Sequence, residues 1–165
     1  MYRFVVTLHV LFAVLLTGPA AFVPFMAVTG LVARDPERIR RAGKRTLQFG
    51  LLTLLIAGSG LLALGQSTTY RFGTPWVTIA ATVYVIAVLL DVLVLPGVLS
   101  RAAKHVEEAV SASPEVPDTP NDPERAAVAT ALVDQQRGRL LALAGLTVAL
   151  YAVAAIMMAF KPFGN

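Results

Sequence analysis

The sequence predicts an all-α fold: a bundle of four transmembrane helices with both termini outside and both polar loops cytoplasmic. Three observations predict it. Hydrophobic residues make up 56% of the 165 residues and charged residues only 15%, where soluble domains carry about 45–50% and about 25%. Four apolar runs approach or exceed the roughly 20 residues that cross a hydrocarbon core. Lys and Arg gather on one side of those runs. A soluble chain this short has too high a surface-to-volume ratio to hide so much apolar surface, whereas a bilayer solvates it directly.

The first run, 4–33, carries no charge and is longer than a bilayer needs, so it must tilt, kink or protrude. Gly18-Pro19 and Pro24 supply the kink, because proline lacks an amide donor and crowds the carbonyl four residues earlier. A cleaved signal peptide would end near Pro19-Ala20-Ala21. The apolar stretch continues past that point, and the basic cluster follows it instead of preceding it, so the first span is expected to be retained. The other runs are 47–64, 76–99 and 140–160; only the third is interrupted, by Asp91 and Pro96. The expectation is one membrane domain over 1–165.

Orientation follows from charge. Arg34, Arg38, Arg40, Arg41, Lys44 and Arg45 lie between spans one and two; Arg101, Lys104, Arg125, Arg137 and Arg139 lie between spans three and four. Only Arg3, Arg71 and Lys161 fall on the other side. Cytoplasmic loops of membrane proteins carry the excess of Lys and Arg, which places both long loops in the cytoplasm of a bacterial inner membrane. Tyr70 and Trp76 then sit at the outer interface. The +4 net charge therefore reads as a topology signal, and nucleic acid is not an expected partner.

Both polar loops contain the same tetrapeptide, Asp35-Pro36-Glu37-Arg38 and Asp122-Pro123-Glu124-Arg125. Aspartate caps a helix, proline fits its first position, and glutamate favours its positive end. Each tetrapeptide should start a helix that runs into the next span. The following stretches differ in length and pattern, which favours shared capping chemistry over an internal duplication. Residues 111–123, with Pro114, Pro117, Pro120 and Pro123, read as an extended cytoplasmic linker. Residues 101–110 should prolong helix three beyond the membrane.

Helices pack in lipid through close backbone approach, which small residues permit. Span four carries Ala142, Gly145, Ala149 and Ala152 at intervals of three or four, and span two carries Gly50, Gly58, Ser59, Gly60 and Gly65. The bundle interior is the favoured place for these faces, with a homodimer seam as the alternative.

Asp91 is the only carboxylate well inside an apolar span. Aspartate at a helix centre costs about 2.5–3.5 kcal/mol on insertion scales, so it should face protein or water and have a partner. Ala80, Tyr84, Ala87 and Asp91 share a face of helix three, and Gln48 or a snorkelling Arg45 on span two lies within reach. A hydrogen bond between helices is the plainer role; a proton relay or ion site in a small transporter or channel is the functional one. His9, near the outer end of span one, could hold haem or a metal or simply bond another helix. His105 belongs to the opposite side and cannot join it. With no cysteine, thiolate sites and disulfides are excluded. The phosphate-binding glycine loop, the nucleophile elbow and the zinc-type histidine pair are all absent from the sequence.

Leu8-His9-Val10-Leu11, Gly18, Gly60-Leu61-Leu62-Ala63-Leu64-Gly65, Thr74-Pro75-Trp76 and Pro96 together resemble a bacterial family of four-helix integral membrane proteins of unknown function. The resemblance covers about residues 3–105. That family is distantly similar to the copper-resistance D-type membrane domain and to the four-helix protoporphyrinogen oxidases. The oxidase likeness implies haem at His9 and a lysine shortly after Trp76, where this chain has Thr78, Ile79 and Ala80. The reading expected from the whole sequence is a non-enzymatic module that packs with itself or within a larger membrane complex. The alternatives are a haem- or metal-binding redox protein using His9 and a proton-coupled carrier using Asp91.

Overall fold

A computed structural model describes residues 1–111 and 123–160, with side chains placed outside 111–134. The linker expectation for 111–123 lies largely outside the described residues. Six α-helices and one π-helical turn make up the described fold: α1 (Tyr2–Val32), α2 (Pro36–Leu52), α3 (Leu54–Gly65), α4 (Pro75–Leu89), the π turn (Leu90–Val94), α5 (Leu95–Ser111) and α6 (Pro123–Phe160). They form four rods long and apolar enough to cross a membrane: α1, α2–α3, α4–α5 and α6.

α1 is one helix of 31 residues that runs through both Pro19 and Pro24. It ends in a Schellman turn. The Arg34 amide donates to Leu31 O at 3.1 Å and the Asp35 amide to Gly30 O at 2.9 Å, the two bonds that close a helix on a left-handed residue. Arg34 is that residue, with φ 51°. The repeated tetrapeptides then do what their chemistry requires. Asp35 caps α2 by accepting the Arg38 amide at 2.9 Å, and α2 and α6 each begin at the tetrapeptide's proline. Gly30 allows the hairpin to close: a Cβ there would stand 2.9 Å from Ile39 Cγ1.

Rod two breaks only at Thr53, between α2 and α3. Rod three widens into the π turn just before Pro96, where the Leu95 amide reaches back to Leu90 O. Proline 96 has no N–H to give, so the backbone beside Asp91 loses an α-helical bond and relaxes into a wider turn.

α1 packs against α2 and α3 on one flank and against α6 on the other; α2 packs against α5, and α4 against α6. The rods thus form a ring in chain order. Two apolar clusters fill it. One, near the α1–α2 turn, holds Leu31, Ile39, Leu99 and Leu140; the other, towards the far end, holds Ala20, Ile56, Ala87 and Ala154. Between them along the rods lie Thr46, Thr53, Asp91 and Thr147, each with no exposed surface. A polar layer divides the core.

Span four presents a correction. Ala142, Gly145, Ala149 and Ala152 are exposed, and a Cβ on Gly145 would meet nothing within 4 Å. The inward face of α6 is Leu140, Ala144, Thr147, Tyr151 and Ala154. Gly58 is likewise exposed, whereas Gly60 packs against α1. Small residues let helices approach, which favours the interior for this stripe over the seam; in the structure the side chains able to hydrogen-bond, Thr147 and Tyr151, take the interior instead.

Candidate functional site

The polar layer centres on Asp91. The spacing that puts Ala80, Tyr84, Ala87 and Asp91 on one face of rod three turns all four into the bundle, each at most 8% exposed. Tyr151 of α6 donates its hydroxyl to Asp91 Oδ2 at 2.9 Å. Asp91 Oδ1 is buried without a hydrogen-bond partner among the described residues. The Tyr84 hydroxyl donates to the Thr53 carbonyl, at the break between α2 and α3. The rings of Tyr84 and Tyr151 meet edge to face at 6.1 Å.

The three buried threonines do not complete the carboxylate. Thr46 donates to Ala42 O at 2.9 Å, Thr53 to Gly50 O at 2.6 Å and Thr147 to Leu143 O at 3.1 Å, each within its own rod. Threonine hydroxyls in helices commonly bond back in this way. Gly50 is the residue of rod two that meets Asp91, since a Cβ there would stand 3.1 Å from the Asp91 Cβ. Gln48, proposed as a partner from its height in the span, is exposed. Two residues of helix turn a side chain by about 200°, so Gly50 facing inward sends Gln48 outward. The partner comes from span four instead.

The sequence reading lacks Thr53 and the pairing of Tyr151 with Asp91. Tyr84 and Tyr151 are the tyrosines far from any span end, and a donor inventory of spans three and four would have singled them out. A carboxylate with one hydroxyl donor and one bare oxygen, shielded from water, is a hydrogen-bond anchor between spans three and four. Its second oxygen can also accept a proton or face a small cation.

A second polar contact joins rods one and two nearer the far end. His9 Nδ1 lies 3.0 Å from Ile56 O and 3.2 Å from Ser59 Oγ. A carbonyl can only accept, so in this contact Nδ1 is the donor. Ser59 donates in turn to the carbonyls of Leu55 and Ile56, at 2.8 and 3.0 Å. Gly60 makes room for the ring: a Cβ there would stand 3.0 Å from His9 Cε1. The imidazole is thus wedged between α1 and α3, which is what a helix-packing histidine requires. His105 sits on α5, 3.6 Å from Glu108, and no cluster of three His, Cys, Asp or Glu forms a metal site among the described residues. The contacts that the structure gives His9 are those of a histidine joining two helices.

A family model described as a predicted integral membrane protein (DUF2269) matches residues 3–162. No curated protein and no solved structure matches the chain. The family match covers span four as well as the segment on which the four-helix resemblance was drawn, while kinship with the copper-resistance domain or the protoporphyrinogen oxidases is not shown.

Proposed function

We propose, for a chain that belongs to the DUF2269 family of predicted integral membrane proteins, a non-enzymatic role as a four-span module that self-associates in a bacterial cytoplasmic membrane. Both termini lie outside and both polar loops lie in the cytoplasm, a reading supported by the distribution of Lys and Arg. The observation that carries self-association is the outward face of α6. Ala142, Gly145, Ala149 and Ala152 lie exposed along it, and a Cβ on Gly145 would meet nothing within 4 Å. A groove of small side chains lets a second helix approach closely, and in lipid that approach supplies the van der Waals contact that drives pairing.

The chain has no cysteine, so single cysteines test the seam without further engineering. Ala149→Cys in native membranes is expected to give a disulfide-linked dimer on mild oxidation. Val14→Cys, on the exposed face of α1 (72% exposed), is expected to stay monomeric. Equal crosslinking of the two, or none at Ala149→Cys, would count against the seam.

A second reading, a proton-coupled carrier or channel, is favoured by Asp91 Oδ1, which has no partner among the described residues although Asp91 is fully buried. Proteoliposomes loaded with a pH-sensitive dye test it. On this reading Asp91→Asn abolishes a proton flux that the parent protein shows; no flux in the parent, or the same flux in both, removes it.

A further inference from the structure

We propose that the cleft between α1 and α2, beside the α1–α2 turn, binds the headgroup phosphate of an anionic phospholipid, whose acyl chains follow the Phe22–Met26 face of α1. Arg38, Arg41 and Arg45 succeed one another at intervals of three and four, which aligns them on one side of α2. With Met26, Thr29 and Ala42 they line a cleft of about 240 Å³. Three arginines lining one opening match a phosphodiester, which arginine binds through paired N–H donors.

The nearby carboxylates leave that charge largely standing. Glu37 is drawn to Arg40 at 2.7 Å, and Arg40 also reaches Glu107 of α5. Asp35 lies 3.9 Å from Arg38 Nε while it caps the helix. Among the described residues Arg41 donates to a backbone carbonyl, that of Glu37, at 3.3 Å. Arg45 has no ion pair among the described residues. The cleft therefore keeps a net positive charge at the end of the bundle where the basic residues gather.

An apolar track continues from it. Phe22 and Met26 are 66% and 48% exposed and share a face of α1 with Thr29, at intervals of four and three. A basic opening joined to an apolar strip suits a headgroup with its chains better than a free inorganic anion. The inference needs the spanning reading of the chain and does not depend on pairing through α6.

Native mass spectrometry of the full-length protein in mild detergent tests it, with palmitoyl-oleoyl-phosphatidylglycerol as the probe. Phosphatidylcholine of the same chains and inorganic phosphate serve as comparisons. The expected result is that phosphatidylglycerol outbinds phosphatidylcholine by about tenfold or more and resists displacement by phosphate. The R41Q/R45Q double variant should lose about thirtyfold in that affinity, and R45Q alone about fivefold should the double variant fail to fold. K44Q/R101Q removes two exposed charges from the same end of the bundle and should change the affinity by less than about threefold. Equal binding of the two lipids, equal losses in the two double variants, or displacement by inorganic phosphate would each overturn the assignment.

Discussion

Asp91 gives one oxygen to the Tyr151 hydroxyl at 2.9 Å and keeps the other unpaired, and this asymmetry fixes the order of effects at the two positions. Tyr151→Phe removes the donor from a buried carboxylate and should cost about 1–3 kcal/mol of stability. Asp91→Asn leaves an amide oxygen for Tyr151 and removes the charge, so it should cost less. Denaturation in detergent followed by circular dichroism measures both, and a more damaging Asp91→Asn would contradict this network. Asp91 could be read from the sequence because a lone carboxylate in an apolar run stands out. Tyr151 stands out only as a hydroxyl donor in mid-span; that it meets Asp91, 60 residues away, could not be read, because only the rotation of α6 about its axis brings it inward. Span four is apolar all round, so hydrophobic periodicity separates no interior face from a lipid face. The same ambiguity left the stripe at Ala142, Gly145, Ala149 and Ala152 open between interior and seam. In a bilayer, neither smallness nor apolarity marks the core.

The elements themselves were far more legible, because their boundaries rest on local chemistry. Asp-Pro-Glu-Arg starts α2 and α6 in this structure as capping and dipole arguments require. The end of α1 at Val32 agrees with the apolar run ending at residue 33, but the form of the turn could not be read. Its left-handed residue is Arg34, where glycine is the usual occupant, and the sequence offers no glycine there to signal the turn. A non-glycine residue in that conformation costs roughly 1–2 kcal/mol. Arg34→Gly is therefore expected to stabilise the α1–α2 hairpin by about 1 kcal/mol, read as a higher melting temperature in the same detergent. A lower one would mean that the Arg34 side chain does more than occupy the turn. The π turn was legible only in part: Pro96 marked an interruption, while its position relative to Asp91 decided that the widened backbone carries the buried carboxylate.

At the scale of the whole molecule, four rods in chain order enclose two apolar clusters separated by a polar layer. Long exposed apolar surfaces, such as Phe4, Val14, Leu62 and Leu93 at 55% exposure or more, are what lipid contact permits and water would not. The number of spans was legible from run length and the proposed orientation from charge, since both are global sums that do not depend on how any helix is rotated. The rotational setting of each rod, which decides the site and the seam, required the structure. Single cysteines in the cysteine-free chain test the central claim of four spans with cytoplasmic loops most directly. Thr68→Cys, between spans two and three, should react with a membrane-impermeant maleimide on intact spheroplasts. Ala33→Cys and Ser113→Cys should react only after the membrane is opened. Labelling of all three in intact cells, or of Ala33→Cys but not Thr68→Cys, would contradict it.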